Sequence, residues 1–279
     1  MEFKYLGRSN VKIPVLGLGT WGIGGLSTKN VTHDDDDTKA LVLGLELGMQ
    51  FIDTAEMYAS GHAEEVVAKA IENRRESVFL ATKVSPEHFS SENVPKACDA
   101  SLRRLRTEYI DLYQAHWPNP RIPISETMKA MERLVRDGKV RFIGVSNFSV
   151  EQTRQAQAAL SAVDVASNQV EYSLLDRSIE DNLLPYSEKE HITIIAYSPL
   201  ARGQIAMGSK REDRWRALDE IAARFRKTRS QVALNWLISK KAVVAIPKSA
   251  NPTHLKENLG GQGWTMQPED FEALDRAFK

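Results

Sequence analysis

A (β/α)8 barrel with an N-terminal β-hairpin and extra helices near the C-terminus is the fold this sequence predicts. Three observations predict it. Short apolar, β-rich runs begin near residues 16, 51, 78, 110, 142, 165, 193 and 243. Amphipathic stretches with helical periodicity separate most of them, and strands alternating with helices are parallel strands joined by crossovers. The eight units occupy about 260 of the 279 residues, a usual size for one barrel.

Taken in order, residues 3–15 hold two short strand-like pieces around Gly7-Arg8-Ser9-Asn10. Gly and Asn tolerate positive φ, so this reads as a hairpin. The strand at 16–19 runs into a glycine-rich loop. His33-Asp34-Asp35-Asp36-Asp37 then precedes the apolar periodicity of Ala40 to Leu47. Four carboxylates suit the positive end of a helix dipole, and the run reads as a solvated helix start. No glycine turn or later ligand makes it an EF-hand. Further helices are expected near 63–72, 91–105, 124–137, 150–160, 179–190 and 229–239, with Gly138 as a helix stop. Arg214 to Phe225 and Pro268 to Phe278 read as additional helices, and another starts near Asn251-Pro252-Thr253. No linker or charge boundary divides the chain, so residues 1–279 are expected to form one domain.

Composition narrows the function. Hydrophobic residues are 42% of the chain, enough for a large core. Lys plus Arg and Asp plus Glu number 37 each, a balance that argues against electrostatically driven binding to nucleic acid or to an anionic membrane. The single Cys98 has no internal disulfide partner, and no Cys/His cluster has zinc spacing, so no metal is expected. No apolar run reaches the roughly 18 residues of a membrane span. Met1-Glu2-Phe3-Lys4 does not read as a signal peptide. The expected location is the cytoplasm, and no exposed apolar stripe marks an oligomer interface.

Two fingerprints compete for the site. Gly17-Leu18-Gly19-Thr20-Trp21-Gly22 matches the G-x-G-x-x-G of a Rossmann loop. Its context fails, because Ile23-Gly24-Gly25-Leu26-Ser27 does not open a helix and no acidic residue stands about 20 positions on. The plainer reading is a loop that lets something approach the backbone closely. The second fingerprint lies at strand ends. Asp53 closes Phe51-Ile52, Lys83 closes the run from Val78, His116 closes the run from Ile110, and Tyr58 lies in the loop after Asp53. Parallel barrels gather catalytic side chains where strands end, and neighbouring strands lie about 4.8 Å apart. Singly, these residues have structural readings as a cap, a packing ring, a solvated amine and a core imidazole. Together on one face they point to proton transfer.

At these residues the chain resembles the aldo-keto reductases, over nearly its whole length. The stretches that carry the likeness are GLGTW at 17–21, FIDTAEMY at 51–58, TKV at 82–84, DLYQAHWP at 111–118, GVSNF at 144–148, NQVEYS at 168–173, AYSPLARG at 196–203, IPKS at 246–249 and KEN at 256–258. The resemblance implies a nicotinamide-dependent (β/α)8 barrel without a Rossmann domain. It implies a tetrad of Asp53, Tyr58, Lys83 and His116, with Tyr58 as general acid, Lys83 lowering its pKa, Asp53 holding Lys83, and His116 orienting the carbonyl. For the cofactor it implies Ser146, Asn147 and Gln169 on the carboxamide, Tyr197 stacked on the nicotinamide, and Gly19, Thr20 and Trp21 in the loop beside it, next to Asp53. Ser198, Leu200, Arg202 and Gly203 match the pyrophosphate segment, Lys248 and Ser249 the 2′-phosphate pocket, and Glu257 and Asn258 the adenine contacts. Trp21, Tyr58, His116 and Trp117 are expected to touch substrate, with Met57 and Tyr172 beside them.

Two departures matter. His254 stands where the family often has Arg on the 2′-phosphate; NADPH is expected to be preferred, with NADH possible. Ala59 follows Tyr58 where Gly is common, and Ser60-Gly61-His62 lengthens the bridge to the helix. The expected reaction is reduction of small, aromatic or sugar-like aldehydes and ketones. A cofactor-sensing binding protein, like the potassium-channel β subunits on this fold, is the alternative that an intact tetrad disfavours. A metal-dependent hydrolase barrel lacks its His-x-His strand.

Overall fold

The structure, a computed structural model, describes residues 1–208 and 213–279. A hairpin of β1 (Phe3–Tyr5) and β2 (Lys12–Pro14) comes first, turning through Gly7 at φ +54°. Eight parallel strands follow: β3 (Leu18–Gly19), β4 (Phe51–Asp53), β5 (Phe79–Val84), β6 (Ile110–Ala115), β7 (Val140–Ser146), β8 (Val165–Glu171), β9 (Thr193–Tyr197) and β10 (Val243–Ala245). They pair in chain order. The ring closes where Gly17 N donates to Ala245 O at 2.8 Å and Ala245 N to Val15 O at 2.9 Å.

Helices clothe the outside: α1 (Asp34–Glu46), α2 (His62–Ala70), α3 (Asn93–Leu105), α4 (Ile124–Arg136), α5 (Val150–Ala159), α6 (Leu183–Glu190), a short α7 (Gln204–Met207), α8 (Asp213–Phe225), α9 (Arg229–Ile238), α10 (Pro252–Leu259) and α11 (Pro268–Ala277). Their limits follow from local chemistry. Ser149 with Gln152 and Thr228 with Gln231 form capping boxes that start α5 and α9. Gly138 at φ +76° follows the end of α4, as its sequence position predicts. α6 begins at Leu183 rather than near 179, because the Asn182 side chain accepts from Leu183 N and caps it there. On α4, Met128, Met131 and Leu134 recur at helical spacing and face the barrel.

Two apolar clusters result. The larger fills the space between strands and helices. The smaller lies inside the ring, where Phe51, Phe79, Leu112, Ile195 and Val244 meet Leu6 and Ile13 of the hairpin. The hairpin thus plugs the lower end of the barrel. Lys4 ties it down by donating from Nζ to the carbonyls of Ile238, Lys240 and Val243 at 2.5–2.7 Å.

One expectation is corrected. The start of α1 is not simply solvated: Asp34 and Asp37 are buried, while Asp35 and Asp36 are exposed. Asp37 Oδ2 accepts from Gly24 N, and Asp34 accepts from His62 and Lys69. Half of the acidic run therefore anchors the glycine-rich loop and α2. No helix among the described residues is long and apolar enough to cross a membrane.

Candidate active site

Asp53, at the upper end of β4, is 2% exposed and collects donors from three strands. Lys83 Nζ lies 2.5 Å from Oδ1. Gln114 Nε2 and Gln169 Nε2 reach Oδ2 at 3.0 and 2.8 Å. Lys83 is fully buried and donates also to Thr54 O at 2.8 Å and, in a long hydrogen bond of 3.4 Å, to the Tyr58 hydroxyl. The Tyr58 ring stands edge-on to Trp21, centroids 5.0 Å apart, and to His116 at 5.7 Å. The four residues separated in sequence are neighbours in space.

Their charges follow from that packing. Burial would strip the proton from Lys83, but Asp53 and Tyr58 together outweigh it and hold the amine above its ordinary range. Sequence reasoning expects Lys83 to pull the Tyr58 phenol below its usual value. Here the phenol is instead raised: burial dominates, Lys83 opposes it, and the Asp53 carboxylate cancels part of the Lys83 field. His116 is pushed down to about 2 by burial and by Lys83, so it is neutral near pH 7. A neutral imidazole has a single N–H, and His116 Nδ1 is buried without a partner among the described residues.

The turn holding Tyr58 is backbone-strained. Ala59, Ser60 and Gly61 have φ of 49°, 56° and 90°, three left-handed residues in a row. The loop before α1 braces them: Leu26 O accepts from Ala59 N at 2.8 Å and Ser27 O from Ser60 Oγ at 3.0 Å. With Ala59 in place the turn is held by these two bonds, and Tyr58 stays beside Lys83.

A dinucleotide's expected partners fall along one track. Gly19 aligns with Asp53 in the sheet, and Thr20 donates to Asp53 O from both N and Oγ1. Gly22 and Gly25 form a bridge rather than a helix start, the physical reason the Rossmann pattern fails. Tyr197 is half-buried and donates to Asn147 Oδ1 at 3.0 Å. Asn147, at φ +62°, donates to Ser146 Oγ, and Ser146 Oγ to Gln169 O. Gln169 spends its amide N–H on Asp53 and Gln114, which leaves its carbonyl oxygen for a ligand. Ser198, Ala201, Arg202 and Gly203 all have positive φ, on a segment that also holds the half-buried Leu200. Lys248 and His254 are exposed, with half-buried Ser249 beside the start of α10. Lys248 Nζ reaches within 4.0 Å of where a Cβ on Gly22 would stand. A half-buried tyrosine ring, an amide cluster, a left-handed loop and the exposed Lys248 before a helix start fit a nicotinamide dinucleotide phosphate.

Two of the expected adenine contacts are partly or fully buried, and one residue, Tyr172, is placed differently from expectation. Glu257 accepts from Thr228 Oγ1 at 2.7 Å, and Asn258 is 3% exposed with its Nδ2 unpartnered among the described residues. Tyr172 is fully buried against Trp236 and donates to Glu180 at 2.6 Å; it belongs to the core. Trp21, Trp117 and Met57 are 51%, 46% and 42% exposed, which rules out core packing for them. Gln114 was not singled out from the sequence. Its signal was available: a polar residue two positions before His116 in an apolar strand shares its face. Among the described residues, no group of three or more His, Cys, Asp or Glu is placed to hold a metal ion.

The model of the Aldo/keto reductase family matches residues 15–279. Methylglyoxal reductase YeaE of Escherichia coli (strain K12) is 38% identical over 270 residues, covering 96% of this chain and 92% of that protein. The crystal structure of the thermostable aldo-keto reductase Tm1743 with the inhibitor epalrestat superposes with a TM-score of 0.95 at 42% identity, covering 99% of this chain and 100% of that one. An aldo-keto reductase from Klebsiella pneumoniae, solved with NADPH, gives 0.89 at 37% identity, covering 100% and 96%.

Proposed function

The chain belongs to the aldo-keto reductase family and is an oxidoreductase, and on that premise we propose that it reduces small aldehydes, 2-oxoaldehydes such as methylglyoxal foremost, with Tyr58 as general acid. The observation that carries the reading is the position of Lys83 Nζ, 2.5 Å from the Asp53 carboxylate and 3.4 Å from the Tyr58 hydroxyl. Its cofactor is NADPH, which when bound supplies a hydride to the carbonyl carbon. Ser146, Asn147, Gln169 and Tyr197 would hold the nicotinamide end, the Ser198–Gly203 segment the pyrophosphate, and Lys248, Ser249 and His254 the 2′-phosphate.

The chain's own residues manage the proton. Negative charge develops on the carbonyl oxygen, and Tyr58 Oη delivers a proton to it. The phenolate left behind faces the Lys83 ammonium, which Asp53 keeps charged; Gln114 and Gln169 hold the second carboxylate oxygen. Neutral His116 donates its one N–H to the same carbonyl oxygen and fixes its direction. General acid catalysis of this kind contributes about 10²–10⁴-fold. Trp21, Trp117 and Met57 form an open, apolar wall, and the short loop from Pro118 to Pro123 leaves the mouth wide, which supports small substrates. The chain from 1 to 279 acts as one catalytic unit in the cytoplasm.

The test is NADPH oxidation against methylglyoxal, an aromatic aldehyde and an aldose. The expected order of kcat/KM puts methylglyoxal first, with KM lower for NADPH than for NADH. No turnover on any member of the panel overturns the reading, and equal KM values for the two cofactors overturn the preference.

A further inference from the structure

A cavity of about 520 Å³ lies outside the barrel mouth, on the flank where α1, α2 and α3 meet behind the Tyr58 turn. That volume is within the roughly 300–1,000 Å³ of small-ligand sites. Its wall carries five cations, Lys29, Lys69, Arg103, Arg104 and Arg106, against two carboxylates. The whole chain has 37 charges of each sign, so the excess is local.

The two carboxylates are already engaged. Asp34 takes Lys69 Nζ at 3.0 Å and His62 Nε2 at 2.9 Å. Glu65 takes Lys29 Nζ at 2.9 Å and His62 Nδ1 at 2.6 Å. Hydrogen bonds from His62 and Lys29 hold the Glu65 carboxyl below its usual range. Arg104 is spoken for by buried Glu64 at 2.6 Å. The exposed side chains of Arg103 and Arg106, in the last turn of α3 and at its left-handed cap, have no hydrogen bond or ion pair among the described residues. Cations at a helix C-terminus also suit its dipole. The dipole does not account for their opening onto one hollow with lysines from two other elements.

The wall is tightly built. A Cβ on Gly24 would stand 2.9 Å from the His62 ring, and one on Gly61 2.7 Å from Arg104 Cδ. Both glycines let the loop before α1 and the Tyr58 turn close onto the cavity-lining side chains.

We propose that this cavity binds a compact phosphate-bearing anion, gripped by the Arg103 and Arg106 guanidinium groups with Lys29 and Lys69 completing the positive wall. Guanidinium forks match phosphate oxygens two at a time, and a charge-assisted bond of this type is stronger than a neutral one. The inference stands on the cavity and does not depend on carbonyl reduction.

The test is calorimetric titration of inorganic pyrophosphate into the chain already saturated with NADPH, which occupies the proposed cofactor pocket. One saturable site is expected, weakened at least about tenfold in Arg103→Ala/Arg106→Ala and unchanged in Lys248→Ala. Both arginines are exposed, and an unchanged melting temperature of Arg103→Gln/Arg106→Gln controls for folding. No saturable binding, equal affinity in the double arginine variants, or loss in Lys248→Ala overturns the proposal. Glycerol 3-phosphate binding as tightly as adenosine 5′-monophosphate assigns the site to a free phosphoester; tighter binding of the nucleotide overturns that source and assigns a nucleotide phosphate.

Discussion

The two ends of the barrel interior are built on the same strands and differ in almost everything else. At the lower end the inward residues are Phe51, Phe79, Leu112, Ile195 and Val244, sealed by the hairpin. Two or four positions further along stand Asp53, Lys83, Gln114 and Tyr197 on the same strands, and His116 just past the end of β6. A strand returns to the same face every second residue, so each strand delivers an apolar side chain to one end and a polar one to the other. The contrast teaches that the buried Asp53–Lys83 ion pair is tolerated because both members are hydrogen-bonded, to each other and to their neighbours, because His116 beside them stays neutral, and because the apolar end fixes the strand ends beneath it. An unpaired ion in that place is costly.

Substitutions at the two ends sharpen the contrast. The largest catalytic effect is expected from Tyr58→Phe, a loss of about 10²–10⁴-fold in kcat. NADPH binding, read by fluorescence quenching, is expected to stay near wild type; substantial turnover in this variant removes Tyr58 from the mechanism. Next come two stability losses of similar size and opposite consequence. Phe51→Ala opens a void at the sealed end and is expected to cost about 3–5 kcal/mol in urea unfolding, with kcat of the folded fraction nearly unchanged. Asp53→Ala leaves Lys83 buried without its counter-ion and is also expected to cost about 3–5 kcal/mol, but with activity lost as well. If Phe51→Ala lowered kcat of the folded fraction as much as Asp53→Ala, the division between the two ends would fail.

The pH dependence separates them more finely. His116 titrates at about 2 in the folded chain and at 6.5 unfolded. Above 6.5 it is neutral in both states and contributes nothing. As pH falls from there toward 2, unfolding takes up one proton at this site, so stability declines by up to about 1.4 kcal/mol per pH unit. His116→Gln is expected to flatten the urea-midpoint slope between about pH 6 and about pH 5 by roughly that amount; an unchanged slope contradicts the burial of a neutral imidazole. The smallest effect belongs to neither end. Arg8 pairs with Asp164 and Glu190 on the exposed surface, and Arg8→Ala is expected to change stability by less than about 1 kcal/mol.

Much of this was legible in the sequence, because periodicity and punctuation are local. The eight strands, the helix ending before Gly138 and the gathering of Asp53, Lys83 and His116 at strand ends with Tyr58 in the loop beyond follow from spacing. What was not legible depends on neighbours distant in the chain. The acidic run at Asp34–Asp37 looks solvated until His62 and Lys69 are folded against it. The direction of the Tyr58 shift turns on how deeply the ring is buried and on how far Asp53 offsets Lys83. Glu257 and Asn258 lie on a helix whose rotation, set by packing on α9, is not encoded in the KEN motif alone. Tyr172 sits one residue past a strand, and only Trp236 from α9 shows that it faces inward to the core.

The run of left-handed residues from Ala59 to Gly61 bears on any attempt to move this chemistry elsewhere. Non-glycine residues held in that conformation cost about 1–2 kcal/mol each, and here Leu26 and Ser27 supply the compensating contacts from a different crossover. A graft of the three strand ends and Tyr58 onto a foreign barrel would therefore misplace the phenol unless residues 24–30 travelled with it. The smallest portable unit is two adjoining loops, and a designer who copies only the side chains at the strand ends would inherit the Asp53–Lys83 ion pair without the phenol beside it.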